Sequence, residues 1–299
     1  MLIIPKEYID FAKWDACVQR NSNGLIYATS TYLNAMTDNW SGLVINDYEA
    51  IMPLPWRKKW GIKYLYTPAF TQQLGLIGSY SINNTTILQT IIDFVKYGDY
   101  MLNAANNATH SIGNFAEKCN CILSLSAPYL QIKEYYSKPL VGYIKKADNS
   151  GLIYTDANIL EAIDAYQGLY QERFESFVSD DYSNFKELCV QLEQTKQSFA
   201  KKVTDKEGNV LAYGLFLRDD KRIYNLMPTT LPAGRKLFAM HFLMDNLIKE
   251  HAEQPLLLDF EGSDHLGIRQ FYEHFGAQNE PYSLWHFNQL PLPLRYFKK

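Results

Sequence analysis

The chain has 299 residues, 47% of them hydrophobic and 20% charged, with a net charge of -3 at pH 7. That balance excludes wholesale disorder, since enough apolar surface can be buried to offset the entropy of ordering, and the length fits two domains better than one. The charge excludes a global positive field that would draw the chain to DNA, RNA or anionic lipid, so any phosphate contact must be local.

The first residues, MLIIPKEYIDFAKWD, carry no basic segment, long apolar core or small-residue cleavage site, and no later stretch approaches a membrane span. A cytoplasmic protein is expected, a setting that suits Cys17, Cys119, Cys121 and Cys189 as unpaired, mostly buried thiols. The 22 Tyr and 16 Phe fit a tyrosine-rich core and equally a large ligand cleft.

In chain order, residues 14–40 carry helix-like spacing, and strand-like segments begin near 43–45. Apolar runs at 50–54 and 62–66 read as a hairpin turning at Arg57, Lys58 and Lys59. Ile87, Leu88, Ile91, Ile92 and Val95 fall on one helical face, with Asn83, Asn84 and Thr85 as candidate caps and Gly98 as the stop. Strands follow at 100–104 and 121–125, and residues 135–154, rich in Pro, Gly, Lys and Asn, read as a linker. This divides the chain into domains 1–145 and 146–299.

In the second half, residues 156–174 and 181–194 read as helices opened by Asp156 and Asp181. Strands at 198–204, 210–218 and 222–227 form an antiparallel meander, and a long, largely buried helix covers 229–251. LLLDF is a buried strand, GIRQFYEHFGA a short helix ended by Gly276, and YSLWHFNQL a final strand. The fold class is therefore α/β, with mixed sheets.

Meander, long helix, buried strand, short helix and last strand is the order of the acyl-CoA N-acyltransferase (GNAT) fold. The segment LDFEGSDHLGIRQFYEHFG resembles the C-terminal strand, turn and helix of the Fem-type aminoacyl and peptidyltransferases, tandem GNAT-like proteins that often carry F-K-x-x-F-G there. The match rests on Phe271, Phe275 and Gly276, with Tyr272 in place of the lysine. The resemblance implies two tandem GNAT-like domains and transfer of an acyl or aminoacyl group to an amine. The donor would be acyl-CoA or charged tRNA, and the acceptor a small molecule or cell-wall precursor. DNA is not an expected partner, and no metal is expected, because His265 and His274 lack ligand spacing with any carboxylate pair.

Where GNAT proteins that use acyl-CoA carry Q/R-x-x-G-x-G/A, this chain has Leu231-Pro232-Ala233-Gly234-Arg235-Lys236. Gly234, Arg235 and Lys236 are the candidate phosphate contacts, through backbone amides and charge; a capped, solvated helix start is the alternative. Asp259 and Glu261 stand two apart on one strand face, beside Gly262 and Ser263, with Glu261 the first choice for general base or amine anchor. Either carboxylate could instead hold the loop by accepting backbone N–H bonds. Tyr272 can donate to an oxyanion, His241 reads as a core residue, and no serine or cysteine nucleophile motif is present. Trp56, Arg57 and Tyr66, in a run of cations and aromatics, and the amides Gln72 and Gln73 are candidate substrate contacts, which the resemblance to Fem-type proteins implies would line a cleft between the domains; a solvated hairpin tip is the alternative for the charge run. A second function remains open: a non-catalytic protein of this fold that recognises a peptidoglycan-like or nucleotide-sugar ligand.

Overall fold

Apolar alternation and helical periodicity generate two units, one formed by residues 1–119 and 281–299 and the other by residues 120–280. The structure, a computed structural model, describes residues 1–106, 113–173, 178–262 and 264–296. Phe174, expected at a helix end, and Ser263 lie outside the described residues.

The first unit begins with β1 (Leu2–Pro5), α1 (Phe11–Arg20) and α2 (Ser30–Met36), followed by β2 (Trp40–Ile45), β3 (Ala50–Lys59) and β4 (Ile62–Leu65). Asp10 caps α1 by accepting from the Lys13 N–H, and Trp14 on its buried face donates to the Ala28 carbonyl at 2.8 Å. The charged run 57–59 is not a turn but the end of β3, because the chain reverses at Trp60-Gly61, both at positive φ. Next come α3 (Thr85–Phe94), capped by Asn84, then β5 (Tyr97–Leu102) and β6 (Asn114–Lys118). Gly98 is no helix stop: it lies in β5, where a Cβ would come within 2.6 Å of Leu65 Cβ.

The second unit opens with β7 (Cys121–Ser124), α4 (Tyr129–Lys133) and α5 (Lys138–Asn149). The expected linker is thus helical: Ser137 caps α5, Pro139 sits in its first turn, and Leu140, Ile144 and Ala147 bury one face. Then follow β8 (Ile153–Ala157), α6 (Ile159–Tyr170), α7 (Ser179–Glu193), β9 (Ser198–Thr204), β10 (Val210–Arg218) and β11 (Arg222–Asn225). Asp156 lies in β8 and does not open α6; Asn158 caps that helix, accepting from the Leu160 and Glu161 N–H groups. Asp181 accepts from the Val178 N–H at the start of α7.

After β12 (Thr229–Thr230), the expected long helix is broken into α8 (Pro232–Lys236) and α9 (Ala239–His251). The break is Phe238, at φ 57°, whose ring stacks on Tyr143 at 4.5 Å. Ring packing holds a left-handed backbone that no local breaker residue announces. The chain continues as β13 (Leu257–Asp259), α10 (Leu266–Glu273), β14 (Gln278–Asn279) and β15 (Tyr282–Asn288).

The second unit's sheet runs β14-β7-β13-β11-β10-β9-β8, with β11 and β13 parallel. The first unit's runs β1-β2-β3-β4-β5-β15-β6. The last strand therefore belongs to the first unit, where Trp285 and Phe287 are buried between β5 and β6. The expected boundary at 145/146 falls inside α5; the chain instead passes between units at 119/120 and again at 280/281. Among the described residues no helix is long and apolar enough to cross a membrane.

Candidate functional site

Strands β11 and β13 pair from Arg222↔Leu257 to Tyr224↔Asp259 and then part. At that point the Leu226 and Met227 N–H groups both donate to the Leu215 carbonyl, at 3.1 and 3.3 Å. Two residues facing one make a β-bulge, a device that bends a strand and re-aims its side chains. On the other side β13 stops at Asp259, and Glu261 has φ 63°. Asp259 and Glu261 therefore do not share one strand face, because a left-handed residue ends the alternation.

Asp259 is almost fully buried, and its oxygens are committed. Oδ2 accepts from Arg222 Nη1 at 2.9 Å and from Asn120 Nδ2 at 3.2 Å, while Oδ1 accepts from the Glu261 backbone N–H at 3.0 Å. The Arg222 guanidinium also grips Glu280 with two bonds of 2.7 and 2.9 Å. Burial works against the Arg222 charge, but the Glu280 bonds and the Asp259 charge outweigh it and raise its pKa above the ordinary range. The cluster ties β11, β13 and the residues flanking β7 and β14 together, and it fixes the backbone on which Glu261 stands.

Glu261 differs from Asp259. Its Oε1 is buried with no hydrogen-bond partner among the described residues, and burial pushes its carboxyl up to about 8 from the ordinary 4.5. A left-handed backbone and an unpartnered buried carboxyl oxygen both cost free energy, and they coincide in one residue. Tyr272 lies close by, its ring stacked on Phe260 at 4.7 Å. Burial first, then the Glu261 charge, hold the Tyr272 phenol well above its usual range, so that it remains a neutral donor. Phe271 and Phe275 pack at 5.3 Å, Phe275 meets Tyr136 at 5.4 Å, and Gly276 turns at φ 81° where a Cβ would strike Tyr135 Cβ at 2.7 Å. The motif residues that carry the resemblance thus build the aromatic bed under Tyr272. His241 is in this bed, 4.8 Å from Phe271, with burial and His274 lowering it to about 4.

Sequence reasoning passed over Arg222 and Asn225. Both amide atoms of Asn225 are buried without a partner among the described residues, one residue past the last β11–β13 pair. A polar residue inside the apolar run RIYNLM was the available signal.

Gly234 is buried in α8, where a Cβ would lie 2.1 Å from the Leu211 carbonyl oxygen, so its lack of side chain serves packing on β10. Arg235 and Lys236 are exposed in the last turn of α8. In the first unit, the Trp56 indole donates to Ser41 Oγ at 3.3 Å beneath the Lys63 ammonium, 4.3 Å away. Arg57 pairs with Asp38 at 2.7 Å and lies 4.4 Å over the Tyr66 ring. The buried Gln73 amide donates to Gln72 Oε1 at 2.6 Å and accepts from the Ala104 N–H at 3.1 Å, which fixes the segment's own backbone. Among the described residues no three His, Cys, Asp or Glu side chains gather as a metal site.

No protein-family model matches the chain, and no curated protein does. Solved structures do: FemX is 12% identical over 100% of both chains, with a TM-score of 0.67. The fold is tandem GNAT-like, of the Fem type. This GNAT-like fold is shared with the C-terminal domain of a putative lysylphosphatidylglycerol synthetase from Agrobacterium fabrum, 11% identical over 96% of this chain and 94% of that one, TM-score 0.57. A tandem GNAT protein from the clavulanic acid biosynthesis pathway is 10% identical over 97% of this chain and 99% of its own, TM-score 0.52. At 10–12% identity the likeness to these structures is one of fold.

Proposed function

We propose that the chain transfers an acyl or aminoacyl group to an amine, with Glu261 as the proton acceptor. The observation that carries this reading is the half-buried Glu261, its Oε1 buried and without a partner among the described residues, and its carboxyl raised to about 8 where β11 and β13 part. A base with a pKa near the working pH is the most effective at moving a proton in the transition state. The amine nitrogen attacks the acyl carbonyl, the new C–N bond forms, and Glu261 takes the amine proton. Tyr272 donates to the developing oxyanion. As the acyl C–O or C–S bond breaks, the proton passes to the leaving group. Asp259 acts through position, holding the Glu261 N–H.

An aminoacyl ester, as on charged tRNA, is the donor this reading favours over acyl-CoA. A diphosphate-binding helix start needs free successive amides at the head of one continuous helix. Here Gly234 is packed on Leu211 and the helix breaks at Phe238. A ligand that binds only the folded state stabilises it, by about 2.7 kcal/mol at 100 times Kd. Charged tRNA is expected to raise the melting midpoint of the purified protein and acetyl-CoA to leave it unchanged. A shift with acetyl-CoA alone would contradict the donor assignment, and no shift with either would count against transfer.

A further inference from the structure

The β3–β4 hairpin makes local choices that cost free energy at its tip. Lys59 faces Ile62 across the ladder, so Trp60 and Gly61 alone form the turn, at φ 51° and 80°. Two positive φ values suit Asn-Gly or Gly-Gly; a bulky indole at the first position is strained. The Trp60 side chain gains no burial in return, being 83% exposed. Lys58 stands directly opposite Lys63, a like-charge cross-strand pair that destabilises a ladder. Lys58 and Lys59 are exposed, and Lys59 Nζ lies 5.2 Å over the Trp60 ring. Only Leu65, at the far end of β4, pairs with β5, so the ladder from residue 57 to 64 is two-stranded.

We infer that this hairpin tip docks on an anionic lipid surface, with the Trp60 indole at the headgroup boundary and the exposed Lys58 and Lys59 against the lipid charge. A single aromatic at the apex of a projecting ribbon, ringed by lysines, has the geometry of an interfacial anchor. A nucleic-acid strand would need successive free aromatic faces. Here the Trp56 ring is covered by Lys63 and the Tyr66 ring by Arg57, which is itself paired with Asp38. The chain as a whole carries a charge of -3, so the attraction must be local.

The indole reports its own docking against the Trp60→Ala background, because Trp14, Trp40 and Trp285 are buried, Trp56 is half-buried and Trp60 is exposed. The full chain is mixed with phosphatidylcholine vesicles with and without phosphatidylglycerol, and followed by sedimentation and indole emission. The expected result is salt-sensitive binding to the anionic vesicles with a blue shift that disappears in Trp60→Ala. Lys58→Ala and Lys59→Ala should each weaken binding about fivefold, with melting midpoints at or above that of the native chain. Absence of vesicle binding would overturn the inference, as would binding indifferent to Trp60→Ala and to both lysine changes. Trp60-dependent binding to single-stranded RNA without vesicle binding would overturn it too, assigning the tip to nucleic acid.

Discussion

At Glu261 the chain keeps a carboxyl where burial favours the neutral form, and the consequence is a stability that depends on pH. The folded value, about 8, lies above the ordinary 4.5, so the folded state binds the proton more tightly than the unfolded one. Stability from this group is complete below 4.5 and is lost as pH rises through about 8. Glu261→Gln stays neutral throughout, so its melting midpoint should gain on that of the native chain across this interval. Parallel curves for the two proteins would show the carboxyl to be solvated. Arg222 poses the opposite case, a buried charge satisfied by two carboxylates. Removing one partner of a buried pair costs about 3–5 kcal/mol, so Arg222→Met should lower the denaturant midpoint by that equivalent. A loss below 1 kcal/mol would mean the cluster is wet. Glu261 was legible in the sequence as a carboxylate beside glycine; its strain and missing partner were not, since both depend on where Arg222, Asn120 and Glu280 pull the backbone.

Among elements, strands and helices with clean periodicity were readable, and misreadings arose where tertiary packing outweighed local composition. Residues 135–154 look like a linker by composition, yet Leu140, Ile144 and Ala147 at helical spacing bury α5. The run 229–251 looks like one helix, yet the Phe238 ring on Tyr143 divides it. The charges at 57–59 suggest a turn, yet Gly61 supplies the positive φ one step later. Gly234 shows the same point at the level of a helix. It matches a position of a phosphate loop, while its observed use is close approach of α8 to the Leu211 carbonyl. Gly234→Ala should therefore destabilise by about 1–3 kcal/mol, as overpacking does, measured by thermal unfolding. Unchanged stability together with weakened donor binding would instead give Gly234 to the ligand.

For the whole molecule, the sequence order announces two units of like kind but not the passage of the chain between them. Strand β15 reads as the end of the second domain and is instead placed between β5 and β6 of the first unit. A strand's ladder partners are set by long-range pairing that no local pattern encodes. A chain ending at Glu280 should consequently lose amide protection in β5 and β6, while β9 and β10, which pair within residues 120–280, keep theirs. Equal loss in both units would contradict this division.

The central claim, that Glu261 accepts the proton in an acyl transfer to an amine, is tested most directly by single-turnover transfer from charged tRNA to an amine acceptor as a function of pH. The native chain should show a rate that reaches half its maximum near pH 8, where the raised carboxyl loses its proton, and levels off above that. Glu261→Gln should be slower by about 10²–10⁴-fold, the range for losing a general base, with that rise abolished. A Glu261→Gln protein with native rate and native pH profile would contradict the account.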